Sequence, residues 1–299
     1  MTQARPLRSF LYVPGNREQW LAGASRYGAD ALILDLEDSV PLNQKEQARR
    51  LVRKMLDALG KVGPMIFVRV NGLETELTAD DLEAVVSPGL YGIVLPKVRG
   101  PEDIAETDSL LKLYESRVGL EVGTVIVSPG LETARAVREA YEIGIASPRV
   151  AYMSPGSAKS GDLSRALGYA WTREGRETLF LRSKILLDAR AAGDPFPRAG
   201  VWSEIQDLEG LNAYALEMRQ LGYTGVTLIH PSHVSIANKV FTPSREEIAY
   251  WQGLVQAMEE AEKAGRAAVP YQGGMVDIAM VKTGRAILKM AQQLGLLED

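Results

Sequence analysis

The chain has no cysteine and only two histidines in 299 residues, and those shortages exclude more chemistry than any single motif does. Without a thiol there is no cysteine nucleophile, disulfide, iron–sulfur ligation or cysteine-bound zinc. The two imidazoles, His230 and His233, lie three residues apart. A three-histidine metal site is therefore impossible, and a histidine-dependent triad or a two-histidine site is the most they allow. Acid/base and metal chemistry must lean on carboxylates. Long apolar runs are missing too: nothing approaches the ~18 consecutive residues of a membrane span. The opening MTQARPLRSF lacks the apolar core of a signal peptide, so a cytoplasmic protein is expected. There is no clustered Lys/Arg face, and the net charge is -4, which argues against nucleic acid or a membrane as partner.

What is present is the composition of a soluble globular protein, 46% hydrophobic and 24% charged. Eight short β-rich runs alternate with longer stretches of helical spacing, at 9–13, 31–36, 65–70, 92–95, 124–127, 149–153, 200–205 and 226–229. Most are largely apolar, as strands covered on both faces must be. Eight βα units predict a TIM (β/α)8 barrel, an α/β fold. The doubly wound alternative lacks support: no Gly-rich dinucleotide fingerprint follows an early strand, and no GxxxxGK[ST] occurs. Residues 1–244 are read as the barrel, and Phe241-Thr242-Pro243-Ser244 marks its end. A polar helix is expected over 245–263, a flexible joint at 269–274 around Gly273-Gly274, and a last helix from Met275 to about Leu294. This C-terminal helical extension, 245–299, exceeds what barrel closure needs, so packing on a neighbouring subunit or covering a site is expected of it.

In such a barrel the chemistry lies at the C-terminal ends of the strands, and ionisable residues recur there: Arg17, Asp35, Glu37, Asp38, Arg69, Asn71, Lys97, Glu132, Asp162 and His230. Arg69 interrupts an apolar strand, where a guanidinium needs an anion. It either forms a structural ion pair with Asp35 or Glu37, or binds a substrate carboxylate or a developing enolate oxygen. Asp35 and Glu37 are read as supporting the site from behind. Glu132 opens a helix, where a carboxylate is favourable on dipole grounds alone. With Asp162 on the neighbouring loop it also makes two hard oxygen ligands, enough for magnesium if waters and substrate oxygens complete the set. His230 reads as a packed, hydrogen-bonded histidine rather than a catalytic one. Asp277 is expected in the first turn of the last helix, where it need be no more than an N-terminal carboxylate.

Several motifs in order resemble the HpcH/HpaI aldolase superfamily, in its citrate lyase β-subunit-like and malyl-CoA lyase branch. They are RSFLYVPGNR at 8–17, GADALILDLEDSVP at 28–41, VRVNG at 68–72, LPKV at 95–98, LETARAV at 131–137, ARAAG at 189–193, IQDLEGL at 205–211 and IHPSHVSIANKVFTPS at 229–244. The resemblance implies a magnesium-dependent carbon–carbon lyase that cleaves a 3-hydroxyacyl-CoA of malyl, methylmalyl, citramalyl or citryl type to an acyl-CoA and a 2-oxoacid. Coenzyme A enters as part of the substrate. It implies metal ligation by Glu132 and Asp162, substrate binding by Arg17, Arg69 and Glu132, and catalytic roles for Arg69 and Asp277. Asp277 would reach a neighbouring subunit's site in a homotrimer or homohexamer. The alternatives are a CoA-independent aldolase acting on a free hydroxy-2-oxoacid and a catalytically silent citrate-lyase-like subunit. The chain departs from the family pattern in three places. Ser128-Pro129-Gly130 stands before Glu132, the loop from Ser154 to Asp162 is longer, and Val226 replaces a lysine common in relatives.

Overall fold

The computed structural model describes residues 4–59 and 63–297 and divides into two compact units, Met1–Val240 and Phe241–Asp299. In the first unit eight strands alternate with helices: β1 (Ser9–Pro14), β2 (Ala31–Asp35), β3 (Met65–Arg69), β4 (Gly92–Leu95), β5 (Ile126–Leu131), β6 (Ser154–Pro155), β7 (Arg198–Val201) and β8 (Gly225–Leu228). They form one parallel sheet in the order β6-β5-β4-β3-β2-β1-β8-β7. Pairing of β1 with both β2 and β8 curls the sheet into a barrel. Its two ends meet where the Arg198 amide donates to the Met153 carbonyl at 3.2 Å. A Cβ at Gly200 would stand 2.6 Å from the Pro155 carbonyl oxygen, so glycine is what lets β7 approach β6 and close the ring.

Every residue of β2 and β4 is buried, which is why those runs read as continuously apolar rather than alternating. The outer helices turn an apolar face inward. In the helix Leu208–Leu221, Leu211, Ala215 and Met218 are buried, Asp207 caps the start by accepting from the Gly210 amide at 2.9 Å, and Gly222 ends it in the left-handed region. Inside the barrel, Phe10, Phe67 and Tyr152 form an aromatic layer with ring centroids 5.4 to 5.6 Å apart, and Ile33 and Ile126 belong to the same buried cluster.

Three strands differ from expectation. The fifth runs through Ser128-Pro129-Gly130 to Leu131, directly up to Glu132. The stretch 149–153 touches β5 only through a bridge between Val127 and Val150. At Tyr152 the chain enters the left-handed region (φ 57°) and breaks the ladder, so pairing resumes at β6. The seventh begins two residues earlier than predicted, at Arg198. No helix among the described residues is long and apolar enough to cross a membrane.

In the second unit the helix Arg245–Lys263 starts at a capping box made by Ser244 and Glu247. The expected flexible joint is instead an antiparallel hairpin, β9 (Ala268–Tyr271) and β10 (Gly274–Asp277), whose turn residues Gln272 and Gly273 have φ of 44° and 84°. Two successive positive φ values match the twist of a tight two-residue hairpin. The last helix, Ile278–Gln293, therefore starts three residues later than Met275. Leu254, Met258, Val276 and Val281 give this unit its own small core.

Candidate active site

A cavity of about 770 Å³ opens in the barrel and collects side chains from most of the strand ends: Tyr12 of β1, Asp35 of β2, Arg69 of β3, Glu132 after β5, Asp162 after β6, Arg198 of β7 and Thr227 of β8. Arg69 faces it across the Tyr12 ring, 4.7 Å from guanidinium carbon to centroid. Asp35 grips Arg69 with both oxygens, to Nε and Nη2 at 2.7 Å each, and Glu37 meets Nη1 at 2.9 Å. Burial opposes ionisation of Asp35, but Arg69 and the amides of Glu37 and Ser39 outweigh it and hold the carboxyl below its usual range. Glu37 goes the other way: burial raises its pKa despite Arg69 and Lys97. Lys97 reaches Glu37 at 2.6 Å and Asp38 at 3.2 Å from a left-handed backbone, φ 50°, a conformation costing on the order of 1 kcal/mol that packed surroundings must impose. Arg69 is thus a neutralised, rigid cation. Its Nε and Nη2 each donate to Asp35, while Nη1 is paired by charge with Glu37, and the N–H groups beyond those held by Asp35 are available to a ligand.

Glu132 stands at the end of β5, and among the described residues no donor meets its carboxylate. Burial pushes its pKa up to about 7, helped by the charges of Glu37 and Asp162 and opposed by Arg69 and Lys97. A Cβ at Gly156 would fall 2.4 Å from Glu132 Cγ, so the loop after β6 packs against this side chain only because residue 156 has none. The longer loop does not carry Asp162 away. Gly156, Ser157, Ala158 and Gly161 line the cavity with Asp162, and the Gly161 amide folds back on the Ala158 carbonyl at 3.1 Å. Asp162 begins the helix Asp162–Leu167 and pairs with Arg165 at its outer side. Two adjacent carboxylates, one with no protein donor, fit a hard cation that keeps waters or ligand oxygens. No cluster of three or more His, Asp or Glu occurs among the described residues, so the protein would supply only part of such a coordination shell.

Of the other expected residues in this unit, Arg17 falls outside this arrangement and His230 borders it. Arg17 is exposed and off the cavity wall, with its guanidinium 5.9 Å from the Trp20 ring centroid at the mouth. His230 borders the cavity and is exposed rather than packed, but it is hydrogen-bonded as expected: its Nδ1 is engaged with Ser232 at 2.8 Å and caps the turn Pro231–His233. His233 is buried on the Ile205 carbonyl at 3.1 Å, and burial lowers its pKa. Val226 is buried and away from the cavity, which its neighbour Thr227 lines. In the second unit Asp277 is exposed at the cap of the last helix, accepting from the Ala279 and Met280 amides at 2.9 and 3.3 Å.

Sequence reasoning missed Arg198. It stands at the end of an apolar strand as Arg69 does, the first residue of β7 where Arg69 is the last of β3, and that signal identifies it once β7 is started at 198 rather than 200.

Residues 8–231 match the family model described as HpcH/HpaI aldolase/citrate lyase. The chain is 34% identical to the citrate lyase subunit beta of Leuconostoc mesenteroides subsp. cremoris, over all of this chain and 98% of that one. It is 35% identical to the (3S)-malyl-CoA thioesterase of Cereibacter sphaeroides, over 98% and 97% of the two chains. Among solved structures it resembles the CitE protein of Mycobacterium tuberculosis in complex with magnesium, acetoacetate and coenzyme A. There the TM-score is 0.72 with 28% identity, covering 97% of this chain and 98% of that one.

Proposed function

The chain belongs to the HpcH/HpaI aldolase/citrate lyase family, and on that premise we propose that it is a magnesium-dependent carbon–carbon lyase. It cleaves a 3-hydroxyacyl-CoA to an acyl-CoA and a 2-oxoacid, or joins the two. One observation carries the reading: Glu132, raised to about 7 and without a protein donor, stands beside Asp162 in an open cavity. A magnesium ion held by these two carboxylates would supply Lewis-acid polarisation of the 2-oxoacid oxygens. Coenzyme A is named for the CitE complex and, as a malyl thioester, for the thioesterase relative, and another CitE complex of Mycobacterium tuberculosis is named with magnesium and the 2-oxoacid pyruvate.

The chain's own residues account for the remainder. Cleavage requires a proton to leave the 3-hydroxyl, the carbon–carbon bond to break, and the resulting enolate to be held until it is protonated. Arg69, immobilised by Asp35 and Glu37, turns its remaining N–H groups toward developing negative charge without having to reorganise. The barrel wall and the aromatic layer beneath exclude bulk water from that charge. Asp277 carries the proton, delivered to a neighbouring subunit of a homotrimer or homohexamer. Its carboxylate is exposed between Met275 and Ile278, themselves 70% and 48% exposed, a setting suited to insertion into another surface. Arg17, beside Trp20 at the mouth, meets the substrate as it enters.

Incubation with acetyl-CoA or propionyl-CoA and glyoxylate, pyruvate or oxaloacetate, followed by mass spectrometry of the thioesters, tests this. Condensation with at least one pair, abolished by EDTA, is expected. No product with any pair, alongside cleavage of free hydroxy-2-oxoacids, overturns it.

A further inference from the structure

Each of the other buried arginines in the barrel unit has a carboxylate partner. Arg69 has Asp35 and Glu37, Arg149 has Glu115 and Asp108, and Arg182 has Glu217. Arg198 does not. It is 2% exposed and lines the cavity floor, yet among the described residues no carboxylate pairs with it and its hydrogen-bond partners, Tyr12 among them, are all neutral. Nη1 donates to Thr227 Oγ1 at 2.6 Å and Nη2 to Ser128 Oγ at 3.2 Å. Nε is shared weakly between Ser128 Oγ and the Tyr152 carbonyl at 3.4 and 3.3 Å. The Phe10 ring lies against the guanidinium, 5.1 Å to its centroid.

The two hydroxyls are fixed acceptors. Thr227 spends its proton on the Ala199 carbonyl at 3.0 Å, and Ser128 on the Tyr152 carbonyl at 2.8 Å. Their lone pairs therefore face Arg198 and lock its plane. Tyr12 is a further hydrogen-bond partner, and the N–H capacity these contacts leave over is what Arg198 offers to the cavity. A cation removed from water without a directly paired anion is unfavourable, and burial pushes the Arg198 pKa down although the charge of Glu132 acts against that. The open side of this guanidinium is the cavity itself, where Glu132 acts on it without an ion pair, so a directly paired anion is one that arrives with a ligand.

We propose that Arg198 is an anion subsite on the cavity floor that takes a second carboxylate of the 2-oxoacid, so that the enzyme selects dicarboxylic over monocarboxylic 2-oxoacids. This rests on the reading that a 2-oxoacid binds at Glu132 and Asp162. Planar, bidentate capture of a carboxylate is what guanidinium geometry favours, and Arg69 has already given that mode of binding to Asp35.

The test is direct binding rather than turnover. Calorimetric titration of pyruvate and freshly prepared oxaloacetate, with Mg2+ present, compares the wild type with Arg198→Gln and Arg198→Lys. The wild type should prefer oxaloacetate by at least about tenfold. Arg198→Gln should weaken oxaloacetate about 30- to 100-fold and pyruvate less than about threefold, with Arg198→Lys in between. Equal weakening of both acids marks a structural role and overturns the proposal. Wild-type affinities within about threefold of each other overturn it with no variant at all, so a misfolded Arg198→Gln does not rescue it. Selectivity that depends on Arg198 in a protein that condenses no thioester supports this subsite while the lyase reading falls. Condensation without selectivity has the opposite meaning, and absence of binding by either acid overturns both.

Discussion

Arg69→Met is expected to destabilise the protein by about 3–5 kcal/mol at pH 8, with a pH dependence that identifies the cause. The guanidinium lies 2.7 Å from each oxygen of Asp35 and 2.9 Å from Glu37, and those carboxylates are 1% and 4% exposed. Lys97 still compensates Glu37 at 2.6 Å, and two amides still meet Asp35. The loss therefore corresponds to one broken buried pair rather than two. In the wild type the lowered pKa of Asp35 means that its stabilisation is present above its unfolded value, ~3.9, and disappears as pH falls through the folded value. In the variant, burial acts with less opposition and raises that pKa, so the penalty grows as pH rises and the acid ionises. The gap between the two proteins should be widest near pH 8 and shrink toward pH 4.5. Urea denaturation of the metal-free proteins at both pH values measures it. Asp35→Asn added to Arg69→Met should recover part of the loss, because no unpaired charge remains. A gap independent of pH, or smaller than about 1 kcal/mol at pH 8, refutes the assignment of an ionic origin.

Glu132→Gln and Asp162→Asn should each weaken Mg2+ binding at least about tenfold by calorimetry, while the melting temperature of Glu132→Gln in EDTA does not fall, because a buried negative charge is removed. Unchanged Mg2+ affinity in both variants would move the metal elsewhere. Gly156→Ala places a methyl 2.4 Å from Glu132 Cγ, and displacing that side chain should cost about 1–3 kcal/mol along with most of the Mg2+ affinity. Wild-type affinity in that variant would show the contact to be unimportant. Mixing inactive Glu132→Gln chains with inactive Asp277→Ala chains should restore activity if Asp277 serves a neighbour. Verified mixed oligomers that stay inactive argue for action within one chain.

The strands that could be read from sequence were those whose environment is uniform. β2 and β4 are buried throughout, so continuous apolar runs marked them nearly to the residue. β6 escaped because a positive φ at Tyr152 is a tertiary compromise that leaves no trace in side-chain periodicity. The hairpin at 268–277 escaped because Gly273-Gly274 fits a loose joint as well as a tight turn. Glu132 and Arg69 could be located by motif, and Asp162 by its place on the loop after the sixth β-rich run. The clearance at Gly156 that seats Glu132 depends on two loops meeting and is invisible in one dimension. Asp277 was expected in the first turn of the last helix and is its N-cap, because that helix starts three residues later, but a function on another chain lies beyond anything one chain's pattern encodes.

The aromatic layer of Phe10, Phe67 and Tyr152 packs the barrel interior with ring centroids 5.4 to 5.6 Å apart. Under the lyase reading that layer is a floor, and Arg198, whose guanidinium lies 5.1 Å from the Phe10 centroid, belongs to it. A fragment seated there would lie below whatever occupies the space above, so the order of product release would follow depth of seating as well as binding strength.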